Sequence, residues 1–168
     1  MTPRPMPETP APSLDLPLVG GGRFSLAEAR PEAMSMIVVY RGYHCPICQS
    51  YLGRIDERTP AFREKGVEPV AVSMDGADRA ARAVEDWGLR ALPVAHDMTE
   101  ADARAWGLYL STSMKEGEAD LFPEPGLFWV RPDGRLYLID IASMPFARPD
   151  PDLLLSSVPL LTEKGYPA

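Results

Sequence analysis

The chain has 168 residues, enough for one domain with a continuous buried core, and its 45% hydrophobic and 24% charged residues are typical of a globular protein. The net charge of −7 leaves no excess of Lys or Arg to neutralise phosphates, so nucleic-acid partners and anionic membrane surfaces are both disfavoured. Apolar stretches are too short to span a membrane, and the first twenty residues lack the apolar segment of a signal peptide, so we expect a cytoplasmic protein.

The N-terminal part predicts an arm followed by a short hairpin. Residues 1–13 carry five prolines and little that could pack, which predicts a flexible arm, whereas residues 14–168 are expected to form a single domain. Leu14–Leu18 alternates in polarity and is followed, after a glycine run, by Arg23–Ser25; together they predict a β-hairpin. Ser25, with a glutamate three positions later, predicts a brief helical turn.

Strands and helices alternate through the middle of the chain. Ser35–Tyr40 is an almost unbroken apolar run, as expected of a central strand covered on both faces, and helical spacing continues from Cys48 until Pro60. The elements predicted next are strand Val67–Ser73, helix Ala77–Trp87, strand Leu92–Ala95 and a helix from Thr99 to Trp106. This alternation predicts parallel strand pairs joined by right-handed crossovers.

The last third of the chain has a different pattern. Ser111–Pro125, with acidic residues and prolines, predicts irregular structure. Leu127–Arg131 and Arg135–Ile141 are joined by a Pro-Asp-Gly turn and predict an antiparallel hairpin. The leucine cluster within Asp150–Leu161 predicts a final helix that lasts until Pro159.

Cys45 and Cys48 are the only cysteines, and they follow the first central strand with two residues between them. Pro46 predicts the first position of a helix and makes Cys45 its N-cap. There the sulfur faces free N–H groups, including that of Ile47, and the positive end of the helix dipole, which lowers the thiol pKa. Cys48, one turn further in, is expected to be shielded and to act as the resolving thiol. The spacing therefore predicts a reversible dithiol/disulfide pair.

Three other roles for the pair are weaker. Free cysteines can be inert core residues. A structural zinc site needs four ligands, and the chain offers two cysteines with His44 and His96 at unhelpful spacing, so we expect no metal and no cofactor. A structural disulfide across so short a loop would restrain little of the unfolded chain.

These features together resemble the α/β thioredoxin-like fold, with a mixed central sheet flanked by helices and an N-terminal β-hairpin extension. More narrowly, the stretch from Val39 to Cys48, VYRGYHCPIC, is similar to the Tyr-Arg-Gly-x-x-Cys-Pro-x-Cys stretch of peroxiredoxin-like proteins of the alkyl hydroperoxide reductase/thiol-specific antioxidant (AhpC/TSA, or redoxin) family. The resemblance covers roughly residues 14–155. It implies that Pro125 matches the proline that packs against the cysteines in such proteins.

We expect the substrate pocket to lie around the two cysteines. Its predicted members are Arg41, Tyr43, His44, Pro46 and Pro125, and Arg41 and His44 could add positive potential. Tyr40 and Tyr51 could also line this pocket, although aromatic residues at strand and helix spacing are more often core. Trp87, Trp106 and Trp129 are interpreted as core residues.

The chain departs from the family pattern at two places. Typical peroxiredoxins carry a proline seven residues and a threonine three residues before the attacking cysteine, where this chain has Val38 and Gly42. Most also place an arginine beside the proline that corresponds to Pro125, and this chain has none there. The threonine and arginine normally orient and polarise the peroxide, so their absence favours a role in disulfide exchange.

The resemblance implies a thiol-dependent oxidoreductase that reduces hydroperoxides. Cys45 would attack the peroxide, Cys48 would resolve the product to a Cys45–Cys48 disulfide, and a thioredoxin or glutathione-type reductant would complete the cycle. Two alternatives stay open: a thioredoxin-like reductase of protein disulfides, and a non-catalytic thiol redox sensor. The resemblance is also compatible with a homodimer.

Overall fold

The computed structural model describes residues 4–165, which form a five-stranded mixed sheet, two short two-stranded ribbons and four helices. The strands are β1 (Asp15–Pro17), β2 (Arg23–Ser25), β3 (Met34–Val39), β4 (Val67–Val72), β5 (Val94–Ala95), β6 (Leu110–Thr112), β7 (Leu121–Pro123), β8 (Gly126–Val130) and β9 (Leu136–Ile141). The helices are α1 (Pro46–Glu64), α2 (Ala77–Trp87), α3 (Glu100–Ala105) and α4 (Pro151–Lys164).

The central sheet has the strand order β5-β4-β3-β8-β9. Strands β3, β4 and β5 are parallel, while β8 runs antiparallel to both β3 and β9, so the predicted mixed sheet is confirmed. Every residue of β3 is buried because successive side chains point to opposite, covered faces. Met36 and Val38 pack in the cluster that contains α1 and α4, whereas Ile37 and Val39 pack in the cluster around Trp106.

The sheet topology determines where the functional residues meet. The loop from Tyr40 to Cys45 follows β3, and the loop that contains Asp75 follows β4, its parallel neighbour. The carboxyl ends of parallel strands lie at the same edge of a sheet, so these two loops are adjacent. Helix α1 begins at this edge.

Two helices continue past prolines where the sequence predicted an end or a weakening. Pro60 lies inside α1, and Pro159 lies inside α4. A proline in a helix interior costs about 3 kcal/mol, but each fully buried large apolar side chain returns about 1.5–3 kcal/mol. Leu52, Ile55 and Phe62 of α1 are all fully buried, so packing outweighs the proline. Within residues 4–165, none of the helices is long and apolar enough to cross a membrane.

Two segments are more ordered than predicted. The stretch predicted to be irregular, residues 111–125, contains β7 and most of β6, which pair as an antiparallel ribbon. The arm predicted to be flexible is held along residues 8–11, because Glu8 and Ala11 donate backbone hydrogen bonds to Leu136 and Gly134. Arg131 also pairs with the Glu8 carboxylate at 2.6 Å. Backbone pairing needs no apolar side chains, so proline content did not reveal this order. Residues 1–3 of the predicted arm lie outside the described residues.

Candidate active site

Cys45 is the N-cap of α1, as predicted. Its backbone is extended, with φ −101° and ψ 103°, and its sulfur accepts a hydrogen bond from the backbone N–H of Cys48 at 3.2 Å. Pro46 occupies the start of the helix, where its missing N–H leaves no acceptor unpaired. The sulfur thus lies at the positive end of a helix of 19 residues, an arrangement that favours a thiolate.

The two thiols lie side by side and have opposite acidities. Hydrogen bonds from the Cys48 thiol and then from the Cys48 backbone N–H, with a smaller contribution from Arg41, lower the pKa of Cys45 from 9.0 to about 6, against the opposing effect of burial. Burial, followed by the neighbouring Cys45 sulfur, raises the pKa of Cys48. Near neutral pH the pair therefore holds one thiolate, on Cys45, and one thiol that donates to it.

Both sulfurs are shielded from solvent. Cys45 is 1% exposed and Cys48 is 0% exposed, and both are free cysteines. The shielding of Cys48 was predicted, but that of Cys45 was not. Cys45 belongs to a buried cluster that also contains Leu127 and Trp129 of β8, which are distant in sequence.

Arg41 brings a positive charge to the Cys45 side of the site. Its Nε atom lies 3.2 Å from Oε2 of Glu124, although the two atoms are not aligned as a hydrogen bond, and its guanidinium lies 4.7 Å from the centroid of Phe122. The other carboxylate oxygen of Glu124 accepts a hydrogen bond from Ser111 at 2.8 Å. Glu124, Phe122 and Ser111 all belong to the β6–β7 ribbon region, so this ribbon fixes the position of Arg41.

His44 packs against Phe122 of the same ribbon and remains neutral. Its ring lies 4.7 Å from that of Phe122, and its Nδ1 atom lies 3.4 Å from the Arg79 guanidinium. Burial, followed by the charge of Arg41, lowers the pKa of His44 below its ordinary value of 6.5. His44 therefore does not carry the predicted positive charge at neutral pH. The positive charge comes from Arg41 instead.

Asp75 organises the loop before the cysteines. Its side chain is 1% exposed, pairs with Arg79 at 3.1 Å and accepts the backbone N–H of Tyr43 at 2.7 Å. Gly42 has φ +135°, and a Cβ atom there would lie 2.8 Å from Oδ1 of Asp75. At the position where typical peroxiredoxins carry a threonine, this chain therefore has a glycine in a turn that the Asp75 carboxylate holds in place.

The remaining predicted pocket residues lie in different directions. The Tyr43 hydroxyl donates to Asp86 at 2.5 Å and its ring stacks on Trp87, so this side chain is held by α2. Pro46 is exposed at the helix start. Pro125 is buried and lines a cavity of about 10 Å³ together with Tyr51, Asp140 and Arg148. Asp140 and Arg148 were not predicted as members of the pocket.

Arg148 contacts the cysteine pair, and the sequence analysis did not predict it as a member of the site. It lies between β9 and α4, a hundred residues from the cysteines, and its Nη2 atom donates to the Cys48 sulfur at 3.0 Å. Its guanidinium lies 4.8 Å from the centroid of Tyr51, whose hydroxyl donates to the carbonyl of Pro149 at 2.7 Å. No local motif distinguishes this arginine from others in the chain, because only the fold brings its loop to α1.

The aromatic residues predicted to be core are mostly buried. Tyr40, Trp106 and Trp129 are fully buried, and Tyr51 is 8% exposed. Burial raises the pKa of Tyr40, and it also raises the pKa of Tyr51 to about 12, so neither phenol ionises at neutral pH. Across residues 4–165, no group of three or more His, Cys, Asp or Glu side chains is placed to hold a metal ion.

Comparison with known proteins identifies the family of the chain. Residues 7–139 match the model of the AhpC/TSA family. The chain belongs to the AhpC/TSA family. No match is found among curated proteins.

Solved structures of AhpC/TSA-like proteins share the fold. The chain is 20% identical to the AhpC of Enterococcus faecalis, with a TM-score of 0.76 over 98% of both chains. It is 17% identical to a peroxiredoxin-like protein from Aquifex aeolicus, with a TM-score of 0.76 over 95% of this chain and 89% of that one. It is 15% identical to a mutant of peroxiredoxin 6 from Arenicola marina, with a TM-score of 0.77 over 96% of this chain and 75% of that one. These structures confirm the thioredoxin-like fold. As a member of the AhpC/TSA family, the protein is a thiol oxidoreductase of the peroxidase type.

Proposed function

We propose that this AhpC/TSA protein reduces a small hydroperoxide, with Cys45 as the attacking nucleophile and Cys48 as the resolving thiol. The observation that carries the proposal is the 3.2 Å hydrogen bond from the Cys48 N–H to the Cys45 sulfur at the start of α1. A pKa of about 6 for Cys45 makes this sulfur about 90% thiolate at pH 7. The thiolate is the form that attacks peroxides.

The proposed reaction is balanced with two thiols and one hydroperoxide. The Cys45 thiolate attacks the terminal oxygen of the hydroperoxide, the O–O bond breaks, and the alkoxide leaves with a proton as an alcohol. The Cys48 sulfur then attacks the sulfur of the Cys45 sulfenic acid, and hydroxide leaves with the Cys48 proton as water. The product is a Cys45–Cys48 disulfide, which an external thioredoxin or glutathione-type thiol reduces to restart the cycle.

The burial of Cys45 supports a small substrate. At 1% exposure, its sulfur is out of reach of a disulfide bond carried by a folded protein unless the surrounding loops move. A hydroperoxide needs only a narrow path. The Arg41 guanidinium, held by Glu124 and Phe122, supplies positive charge near the reacting sulfur and could polarise the peroxide oxygen in place of the family arginine.

A second candidate, reduction of protein disulfides, is favoured by a different observation. Gly42 stands where peroxiredoxins carry the threonine that orients the peroxide, and Asp75 leaves no room for a side chain at this position. The arginine that most of them carry next to the proline corresponding to Pro125 is also missing from this sequence. The same dithiol would then form a mixed disulfide with the partner through Cys45. The third hypothesis, a non-catalytic redox sensor, predicts a single oxidation without turnover.

The experiment compares three substrates on one reduced protein. Stopped-flow mixing with hydrogen peroxide and with cumene hydroperoxide, and a separate insulin reduction assay, each use dithiothreitol or a thioredoxin system for regeneration. The proposal expects rapid, catalytic loss of peroxide that disappears in Cys45→Ser. In Cys48→Ser, one equivalent of peroxide is expected to leave a sulfenic acid that dimedone traps.

The competing hypotheses give distinct results. Insulin reduction that is faster than peroxide loss would favour the disulfide reductase. One slow oxidation with no turnover would favour the sensor. Peroxide loss that persists in Cys45→Ser would contradict the assignment of the nucleophile.

A further inference from the structure

Arg148 contacts the second sulfur of the site. Its Nη2 atom donates a 3.0 Å hydrogen bond to Sγ of Cys48. The guanidinium lies over the ring of Tyr51 at 4.8 Å, and the Tyr51 hydroxyl holds the next residue of the same loop through the carbonyl of Pro149. Tyr51 is on α1, one turn after Cys48, so the arginine is fixed to the helix that carries the sulfur it contacts.

The charge of Arg148 is available to this sulfur. The Nε and Nη1 atoms of Arg148 are buried and, among residues 4–165, find no hydrogen-bond partner. Asp140 lines the same small cavity, and burial raises the pKa of its carboxyl group. By contrast, Arg41 near Cys45 is already paired with Glu124.

Cys48 needs such a charge for the chemistry assigned to it. Its sulfur is fully buried, and burial together with the neighbouring Cys45 sulfur raises the pKa of its thiol, whereas Arg148 opposes that rise. The other groups that face Cys48 are Tyr40, whose own pKa is raised by burial, and the backbone of Arg41. Arg148 is therefore the side chain whose positive charge favours a Cys48 thiolate.

We propose that Arg148 is a catalytic residue of the resolving step, in which it holds Sγ of Cys48 and stabilises the thiolate that attacks the oxidised Cys45. This inference rests on the proposed function. In the step, the Cys48 S–H bond breaks, an S–S bond forms, and the S–O bond of the sulfenic acid breaks. The released hydroxide takes the proton from Cys48 and leaves as water, so no further reactant is needed. During reduction of the disulfide, an external thiol attacks the Cys45 sulfur and Cys48 leaves as a thiolate. The same guanidinium stabilises this leaving thiolate.

Arg41 and Arg148 then act on different steps of the catalytic cycle. Arg41 contributes to the ionisation of Cys45, which governs attack on the peroxide. Arg148 contributes to the ionisation of Cys48, which governs closure of the disulfide. A variant of Arg148 should therefore change the second step and leave the first nearly unchanged.

The test separates the two steps in time. Reduced wild-type protein, Arg148→Gln and Arg148→Lys are mixed with one equivalent of hydrogen peroxide, and samples are quenched with dimedone for mass spectrometry of the sulfenic acid and the disulfide. A hydrogen bond to a charged group changes a rate by about tenfold or more, so Arg148→Gln should slow disulfide formation by at least about tenfold at pH 7. Formation of the sulfenic acid should stay within about twofold of wild type, and Arg148→Lys should recover part of the resolving rate.

A pH profile distinguishes this role from a purely structural one. Without Arg148, the rate of disulfide formation should rise steeply with pH, up to the highest pH at which the protein stays folded. The reason is that Cys48 then has no positive charge to stabilise its thiolate, so its ionisation depends on the concentration of hydroxide. Arg54→Gln is the matched control. Arg54 and Arg148 both line a surface groove between α1 and the loop before α4, and Arg54 is ion-paired with Asp150, so its loss should leave both steps unchanged.

The possible outcomes distinguish failure of the proposed function from failure of the role of Arg148. Wild-type protein that forms no sulfenic acid and no disulfide would contradict the proposed function itself. Wild-type protein that cycles, together with a folded Arg148→Gln that resolves within about twofold of wild type or slows both steps equally, would overturn only the role of Arg148. If Arg148→Gln does not fold, Arg148→Met, whose unbranched side chain retains packing on Tyr51, provides the same comparison.

Discussion

The backbone N–H of Tyr43 donates a 2.7 Å hydrogen bond to the carboxylate of Asp75, which joins the loop after β3 to the loop after β4. The same carboxylate lies where a side chain at position 42 would project. Asp75 thus fixes the turn that delivers the chain to Cys45. It also explains why the chain carries glycine where the family carries threonine.

The first prediction concerns this glycine. Gly42→Thr should destabilise the protein by about 1–3 kcal/mol, because residue 42 has φ +135° and its new Cβ atom would lie 2.8 Å from Oδ1 of Asp75. It should therefore not raise the rate of peroxide reduction, although it restores the family residue. Urea denaturation and stopped-flow peroxide loss measure the two effects.

Gly53→Ala is the control for that substitution. Gly53 lies inside α1 with open space around its missing Cβ, so alanine should stabilise the protein by about 0.5–1 kcal/mol. A Gly42→Thr variant as stable as wild type would show that the turn at Asp75 is not constrained as described.

The second prediction is the pH dependence of the first chemical step. Oxidation of Cys45 by hydrogen peroxide should rise through a midpoint at about pH 6 and level off above it, because the thiolate is the reactive form. Arg41→Gln should move the midpoint upward, since one of the contributions that lower the pKa of Cys45 is lost. Arg63→Gln, at the far end of α1, should leave it in place. A wild-type midpoint near that of a free thiol would contradict the N-cap account of Cys45.

The third prediction is a pH dependence of stability. Because the pKa of Cys45 is lowered from 9.0 to about 6, the unfolded state binds more protons than the folded state between these values. The stability contributed by the thiolate is therefore complete above about pH 9 and is lost as the pH falls through about 6. The free energy of unfolding of the reduced protein, measured in urea relative to Cys45→Ser, should increase across this window. If the difference in unfolding free energy between wild type and Cys45→Ser is the same at pH 6 and at pH 9, then Cys45 has an ordinary acidity in the folded protein.

The fourth prediction concerns the proline inside α1. Pro60→Ala should stabilise the protein by about 1–3 kcal/mol, because it restores an N–H to the helix interior and removes the clash of the ring with the preceding turn. Pro46→Ala is the control, since Pro46 begins the same helix where no N–H is needed, and it should change stability by less than about half a kcal/mol. Thermal unfolding of the two variants provides the comparison. A loss of stability in Pro60→Ala would show that α1 depends on this proline.

Much of the fold could be predicted because it depends on local patterns. The apolar run of β3, the Pro46 start of α1 and the hairpin of β8 and β9 are each determined by residues close together in sequence. The N-cap position of Cys45 was predicted for the same reason. At Pro60 in α1, packing of the helix against distant residues outweighed a local signal. At the β6–β7 ribbon, the acidic and proline-containing composition of the stretch concealed a short-range backbone pairing.

The sequence by itself determined the pair of cysteines, their place at a helix start and the family to which the chain is similar. Only the tertiary structure decided which charges surround the sulfurs. Arg148 reaches Cys48 because the loop after β9 folds over α1, and Asp75 reaches Tyr43 because two parallel strands end at one edge of the sheet. Spacing along the chain carries information about contacts within a turn of helix or a hairpin. An electrostatic interaction depends on distance in space, which for residues a hundred positions apart is fixed by the packing of the whole domain.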